Sequence, residues 1–334
     1  MDNYFDLGNY SRDITTTSKT ARDWFNRGLI WCYGFNHEEA LRCFAKVIEI
    51  DPDCAMGYWG MAFASGPFYN KPWKWFGDQE RDVTIAFCHE YAHQAAERKT
   101  LASPLEAALI DAICAKHPTP KASSTIDLER WTWDYAVAMR GIYAEFPDDL
   151  DVICLCAEAV MNLTPWKLWD IEYGLPAKGA CTEEAIAILE HGLARVEQQD
   201  LNPHPGILHF YIHVYEMSPT PEKALPYADQ LRNLCPDSGH LLHMASHIDS
   251  LCGDWERAAK ANRQAIRADV EYIKLRGSEE FYMISIVHNH DFNIWASMFL
   301  GQYDEALRSA DAICDLVRDK RLLCDKRYLA STLE

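Results

Sequence analysis

The feature that most constrains the fold is a recurring unit of helical periodicity. Apolar residues recur at three- and four-residue steps along nearly the whole chain, and no long alternating run of β-branched residues appears. Ala224 in PEKALPYADQL and Ala258 in DWERAAKANRQAI lie 34 residues apart, and Ala306 in QYDEALRSADAI begins a comparable helix. A chain of 334 residues is long for one globular core but natural for an array of stacked units. The sequence therefore predicts an all-α protein of about 14 helices arranged as pairs.

Residues 21–52 carry the clearest copy of this unit. The pattern W-x3-G-x2-W…A-x3-F…P is formed by Trp24, Gly28, Trp31, Ala40, Phe44 and Pro52. It resembles the tetratricopeptide repeat, in which small residues let two antiparallel helices approach closely. Arg27 and Trp31 depart from the usual Leu and Tyr. The resemblance implies an antiparallel helix-pair solenoid, curled round a concave groove that the first helix of each pair lines.

The repeats predict a single domain over residues 1–334, with three kinds of segment. These are an N-terminal repeat at 21–66, irregular helices and aromatic loops at 67–180, and C-terminal repeats at 181–320. The last three repeats are predicted near 205–238, 239–272 and 287–320, and the intervening helices near 79–98, 104–116, 127–145 and 149–163. The aromatic loops at 67–77 and 164–175 either cover a site or seal the edges of the array.

Composition excludes several classes of partner. A net charge of −18 and a pI near 5.1 argue against nucleic acid and anionic lipid, which need clustered Lys and Arg. The twelve cysteines form no CxxC pair and are typical of reduced thiols in a core. The first residues, MDNYFDLGNYSRD, have neither a basic nor an apolar leader region, and no apolar run has the length of a membrane span. We expect a cytoplasmic protein with a small-molecule substrate, and the sequence leaves homo-oligomerisation open.

Histidines concentrate in one part of the chain. Eight of the thirteen fall between His204 and His290. With Pro205, Gly239 and Val287 taken as first residues of the three C-terminal repeats, six histidines fall at the second, fifth and ninth positions: His209, His213, His240, His243, His247 and His288. These positions share one stripe of a helix. Neighbouring first helices stack side by side, so imidazoles from two or three of them are expected to converge.

Converging imidazoles indicate a metal site. Protonated rings repel one another, and buried neutral rings need partners for their acceptors, whereas a bound cation satisfies both. Two triads are predicted, one formed by His240, His243 and His247, the other by His209, His213 and His288. The i and i+4 spacing suits Zn, Cu or Fe, and an all-imidazole set of three plus three favours one or two copper ions. Iron and zinc remain alternatives.

Several further residues are candidates for the same site. Glu216 lies one turn beyond His213, and Glu158 projects from a helix that could face the groove, so both are predicted to handle protons. Additional candidate ligands or supporting groups are His204, which precedes Pro205, and His290, Asp291 and Asn162. A capping role for His204 and a buried structural role for Glu158 are the ordinary alternatives.

A second resemblance covers residues 24–311. The phrases HPGILHFYIHVYE, GHLLHMASHI, VHNHDF, CAEAVMNLTPW and GPFYNKPW resemble those of a broad microbial family of tetratricopeptide-like proteins. The resemblance implies the solenoid and a shared histidine stripe, and it carries no reaction with it. Relatives often read HMPSHI and have a further histidine where this chain has Asp291, whereas Ala245 replaces the proline. A carboxylate there would move one centre towards a mixed site for iron or manganese.

Three functions are compatible with this pattern. The preferred one is an oxidoreductase with one or two copper ions that activates molecular oxygen on an aromatic or other small organic substrate. A zinc- or iron-dependent lyase or hydrolase at the same histidines is the first alternative. A non-catalytic peptide-binding scaffold is the second, although the first helices lack the Lys, Arg and Asn that clamp acidic peptide ends.

Overall fold

The computed structural model describes residues 4–277 and 279–318, which are almost entirely helical. They form α1 (Lys19–Tyr33), α2 (His37–Ile50), α3 (Ala55–Ser65), α4 (Asp78–Glu97), α5 (Pro104–Lys116), α6 (Thr125–Glu145), α7 (Leu150–Met161), α8 (Thr182–Gln198), α9 (Pro205–Tyr215), α10 (Leu225–Leu231), α11 (Gly239–His243), α12 (Ala245–Leu251), α13 (Trp255–Arg276), α14 (Met283–Phe299) and α15 (Tyr303–Leu316). Short 3-10 helices lie at Trp73–Trp75, Lys99–Leu101 and Pro221–Ala224, and β1 (Trp169–Asp170) pairs antiparallel with β2 (Leu175–Pro176).

Side chains at the helix starts explain several of these boundaries. Ser18, Asn36, Ser103 and Asp254 each accept a hydrogen bond from a backbone N–H in the first turn of the following helix. Ser103 and Glu106 form a reciprocal capping box before α5. The all-α, tetratricopeptide-like fold class predicted from the sequence is confirmed.

The chain divides into two compact units. Unit 1 contains the described residues of 1–9 and 211–334, and unit 2 contains residues 10–210. The boundary falls within α9, so His209 belongs to unit 2 and His213 belongs to unit 1. The prediction of a single domain over the whole chain stays a prediction.

Unit 2 contains successive helices from α1 to α8, each packed on the next. The ring of Phe44 on α2 fills the space beside Gly28 and Gly60, where a Cβ atom would lie 2.7 and 2.4 Å from ring carbons. Glycine at these two positions therefore lets α1 and α3 approach α2 closely. The signature residues of the sequence pattern act here as the pattern predicts.

Unit 1 contains α10 to α15, with α11 and α12 packed on α13, and α13 and α11 packed on α14. The extended N-terminal residues join it through the Asp6 backbone N–H, which donates to Asp237 Oδ2 at 2.6 Å. At Gly239 a Cβ atom would meet Asp269 Oδ1 at 2.0 Å. The absence of a side chain at Gly239 thus lets the start of α11 lie directly against α13.

The observed helices agree closely with the predicted ones over the middle of the chain, where α4 to α7 lie within two residues of the expected bounds. Two differences concern the C-terminal repeats. The first helix of the second repeat is interrupted at Met244, where the backbone N–H of His247 bonds to the Met244 carbonyl, a three-residue step. The first helix of the third repeat begins at Met283, four residues before Val287. The predicted end of that repeat, 319–320, lies outside the described residues.

No helix in the part of the chain that the structure describes is both long and apolar enough to cross a membrane.

Candidate metal centre

Three histidines of unit 1 lie together, contributed by three different helices. His243 is the last residue of α11, His247 lies in the first turn of α12, and His288 lies on α14. Each offers one ring nitrogen, and these nitrogens all lie within 4.8 Å of one another. Ring centroids are 4.7 Å apart for His243 and His247, and 4.8 and 5.4 Å from these two rings to His288. We refer to these residues as the histidine triad.

The triad differs from the two triads that the sequence pattern predicts. His288 was expected to join His209 and His213, but it lies against His243 because α14 packs directly on α11. His240 was expected to complete a triad on a single helix, and its ring centroid is instead 6.0 Å from His243 and 6.3 Å from His213. The packing of neighbouring helices therefore decides the grouping, which one-helix spacing alone does not reveal.

The hydrogen bonds of the triad place a proton on Nδ1 of two rings. His243 Nδ1 donates to Asn262 Oδ1 at 2.6 Å, and the Asn262 amide is oriented by its Nδ2, which donates to the Ala258 carbonyl at 2.8 Å. His247 Nδ1 donates to Glu216 Oε2 at 2.7 Å. Because a neutral imidazole carries one proton, both Nε2 atoms present lone pairs.

These two lone pairs face each other. The distance between Nε2 of His243 and Nε2 of His247 is 2.9 Å, a hydrogen-bond distance at which neither atom of the neutral rings has a proton to donate. A cation between them would satisfy both acceptors. At a metal–nitrogen distance of about 2.0–2.1 Å, nitrogens so spaced subtend an angle of about 90° at the ion.

A second proton on one ring is the alternative way to fill this gap, and burial disfavours it on His243. Desolvation lowers the pKa of His243 well below its ordinary value, and neighbouring His247 and His288 lower it further. Burial likewise lowers the pKa of His288 to about 3, and a proton on neighbouring His247 would lower it further. Both rings are therefore neutral near pH 7 and able to act as ligands.

Glu216, just beyond the end of α9, links two imidazoles. Its Oε1 accepts from His213 Nδ1 and its Oε2 from His247 Nδ1, both at 2.7 Å. Burial opposes the ionisation of Glu216, but His247 and His213 outweigh it and hold the pKa of this carboxyl well below its usual range. The carboxylate thus orients both rings with Nδ1 protonated and Nε2 turned away from it. Glu216, which the sequence predicts to handle protons, thus lies here as an acceptor that supports two imidazoles.

Phe292 covers one side of the triad. Its ring centroid lies 4.9, 4.6 and 4.6 Å from those of His243, His247 and His288. It lies one turn after His288 on α14 and is half-buried. Asp291, predicted as a carboxylate ligand, is half-buried beside it with its pKa raised by desolvation, and it is not one of the three grouped ligands.

His290 lies on α14 but off the triad. Its ring is buried, its Nδ1 has no hydrogen-bond partner among the described residues, and desolvation lowers its pKa. Its Coulombic neighbour is Glu305 of α15.

Four predicted residues belong to unit 2. His209 donates from Nδ1 to the Tyr33 carbonyl at 2.6 Å. His204 accepts the Ile207 backbone N–H at its Nδ1 and donates from Nε2 to Asp151 Oδ1 at 3.2 Å, which is the geometry of a helix cap. Glu158 Oε1 accepts from Asn162 Nδ2 at 3.4 Å inside unit 2, and burial raises the pKa of this carboxyl.

Sequence reasoning missed two residues of the centre. Asn262 is fully buried within α13, where asparagine is an unfavourable helix residue. An asparagine among alanines in ERAAKANRQAI was a visible signal of a buried hydrogen-bond partner. Phe292 gave no such signal, because an aromatic residue at helical spacing is ordinary in a core.

Comparisons with known proteins concern the fold. Residues 21–54 match the tetratricopeptide repeat family model. A comparison with curated proteins found no match. A solved structure with some similarity is described as Naa15/Naa10 bound to HypK-THB, at 14% identity and a TM-score of 0.22, with 85% of this chain and 58% of that chain covered. The chain thus spans less than two thirds of that protein's length.

The helical architecture and the repeat match define the class: a tetratricopeptide-like helical-repeat protein. The matched repeat contains most of α1 and all of α2 and ends just before α3, and the histidine triad lies outside it. Membership of the wider microbial family stays a prediction.

Proposed function

We propose that unit 1 binds a transition metal ion through His243, His247 and His288. The observation that carries the proposal is the pair of Nε2 atoms 2.9 Å apart whose Nδ1 atoms both donate elsewhere. When both rings are neutral, such a pair repels itself unless a cation lies between the two lone pairs. A third imidazole within 4.8 Å completes a set of ligands on one side of an ion.

Copper is the metal that this donor set favours. The three ligands are all imidazoles, and an angle of about 90° between two of them is typical of tetragonal Cu(II) rather than of tetrahedral zinc. Three protein ligands would leave positions on the ion open for oxygen or a substrate. Iron and zinc bind imidazole as well, so the metal is to be determined by reconstitution.

We further propose that the centre oxidises a small organic, aromatic substrate with molecular oxygen, which takes its electrons from that substrate. A bound copper ion would supply single-electron transfer. The protein residues hold the centre: Asn262 and Glu216 keep the Nδ1 protons in place, and Phe292 restricts access from one side. The aromatic ring beside the triad offers a flat surface against which an aromatic substrate could stack.

Metal content tests the binding step. The purified protein, stripped by a chelator and reloaded separately with Cu, Fe and Zn, is expected to retain at least one equivalent of copper by mass spectrometry. His243→Ala and His247→Ala are expected to lose that equivalent, with unchanged helix content by circular dichroism. His93→Ala is the matched control, because the His93 side chain is 71% exposed in unit 2. Equal copper retention in all three variants would refute the assignment.

Oxygen consumption tests the reaction. The copper-loaded protein, supplied with a panel of phenols and aminophenols, is expected to consume oxygen, and His243→Ala is expected to abolish the consumption. A redox-silent zinc ion with hydrolytic turnover would support the hydrolase or lyase alternative instead. A protein without stoichiometric metal would leave the repeat fold as a scaffold for protein partners.

A further inference from the structure

We propose that unit 2 contains a second, independent ligand site, a small cavity that binds a small neutral amide. The cavity has a volume of about 40 Å³ and lies between the C-terminal ends of α5 and α7. Its lining includes Phe68, Trp73, Lys116, Tyr135, Asn162 and Pro165. It involves none of the residues of the histidine triad.

The two aromatic loops provide much of the wall. Residues 67–77 contribute Phe68 and Trp73, and Pro165 comes from residues 164–175. The first loop is held by two backbone hydrogen bonds between Phe68 and Lys71, at 3.3 and 3.0 Å. The loops meet through the rings of Tyr69 and Trp166, whose centroids are 5.2 Å apart. The loops that the sequence singled out thus enclose a defined space.

Lys116 supplies hydrogen-bond donors to this space. Its side chain is buried, and its Nζ donates to the Pro67 carbonyl at 3.2 Å. The ammonium also lies 5.0 Å from the ring centroid of Phe63 and 4.8 Å from that of Tyr135. An ammonium group has three N–H donors, so a ligand acceptor in the cavity can take another.

Asn162 supplies an acceptor to the same space. Its Nδ2 donates to Glu158 Oε1 at 3.4 Å, which directs its Oδ1 elsewhere. That Oδ1 is buried and has no hydrogen-bond partner among the described residues. An unpartnered buried acceptor costs free energy unless a donor reaches it. A ligand with both an acceptor and an N–H donor would therefore satisfy Lys116 and Asn162 together.

The charges around the cavity favour a neutral ligand. Burial lowers the pKa of Lys116 and raises that of Glu158, while each of these groups partly compensates for the burial of the other. The pair is neutral overall whether both groups are ionised or both are not. Glu158 would repel an anion and Lys116 would repel a cation, whereas a neutral amide is repelled by neither charge.

The volume limits the size of the ligand. A site of about 10–15 Å³ on this measure holds one water molecule, so 40 Å³ holds about three or four non-hydrogen atoms. Acetamide and urea have this size and carry a carbonyl oxygen beside an N–H. We take acetamide as the probe of this class.

The experiment compares three probes of matched size. Acetamide, acetate and acetone are titrated separately into the full-length protein, and binding is followed by saturation-transfer NMR. Acetamide is expected to saturate at the lowest concentration. Lys116→Met is expected to weaken acetamide binding about tenfold, because a charged hydrogen bond is lost. Lys167→Met removes an exposed lysine and is expected to leave binding unchanged.

A charge variant makes the test independent of folding defects. Glu158→Gln leaves Lys116 as the local charge, so acetate is expected to gain about tenfold and to bind more tightly than acetamide. The double variant Lys116→Met with Glu158→Gln removes both charges together and is expected to bind neither probe, with its melting temperature showing that it folds. A cavity that holds water alone would give no saturable signal with any probe. That result, or an unchanged order of affinity in Glu158→Gln, overturns the proposal.

Discussion

The variant Glu216→Gln is expected to weaken metal binding because it changes the tautomer of a neighbouring imidazole. The Glu216 carboxylate accepts from both His213 Nδ1 and His247 Nδ1 at 2.7 Å. A glutamine amide has one oxygen acceptor and one NH2 donor, so it can accept from one of these rings but not from both. Where the amide NH2 faces His247, that ring must accept at Nδ1, which moves its proton to Nε2 and removes the lone pair that would bind the ion.

The size of the effect follows from the same geometry. Loss of an acceptor that orients a metal-binding histidine typically reduces metal affinity about 10- to 100-fold. Glu216 orients one member of the triad, His247, so we expect a rise of about 10- to 100-fold in the Kd for Cu(II) in Glu216→Gln. This change corresponds to about 1.4–2.7 kcal/mol of binding free energy.

Competition against a chromophoric chelator of known affinity measures this Kd. Glu222→Gln, a change at an exposed glutamate of the same unit, is the control and is expected to bind like the wild type. Thermal denaturation without metal separates binding from stability. A Kd within twofold of the wild type, combined with a lowered melting temperature, would refute the tautomer argument and leave Glu216 with a structural role alone.

Three further predictions concern other parts of the molecule. Phe292→Leu opens one side of the triad, so the copper-loaded variant is expected to bind azide about tenfold more tightly in an optical titration; unchanged affinity would contradict a gating role. Gly239→Ala places a Cβ atom 2.0 Å from Asp269 Oδ1 and is expected to cost about 1–3 kcal/mol of unfolding free energy in urea, whereas Gly141→Ala, with nothing within 4 Å, is expected to be neutral or stabilising. Burial lowers the pKa of His37 to about 3, whereas His37 in the unfolded chain takes up a proton near pH 6.5. The contribution of neutral His37 to the free energy of unfolding is therefore fully present above pH 6.5 and declines as the pH falls towards 3. Between pH 7 and pH 5 this titration is expected to lower the free energy of unfolding of the wild type by about 2 kcal/mol. His37→Gln is expected to lack this loss in melting curves recorded over the same range, and an equal pH dependence in both proteins would contradict the prediction.

Local spacing was sufficient to predict the helices. The capping box at Ser103 and Glu106 and the apolar periodicity around it depend on residues within one turn of each other, so the sequence displays them directly. The interruption at Met244 was not predicted, because nothing in GHLLHMASHI breaks a helix by its own propensity.

The candidate centre was predicted in part. The concentration of histidines at helical spacing indicated which residues to consider, and three of those six form the triad. Their grouping could not be read from spacing, since the partners of His288 depend on which helix α14 packs against. The roles of Asn262 and Phe292 depend on the same packing.

The helix-pair architecture and the dense set of imidazoles follow from the amino-acid sequence alone, because both arise from residues close together along the chain. Helix packing determines which imidazoles lie together and which rings Glu216 and Asn262 orient through the Nδ1 protons. It also places Glu158 and Lys116 where their charges interact in unit 2. These contacts join residues of different helices. Their distances depend on how side chains interlock between helices, which the periodicity of one helix does not specify.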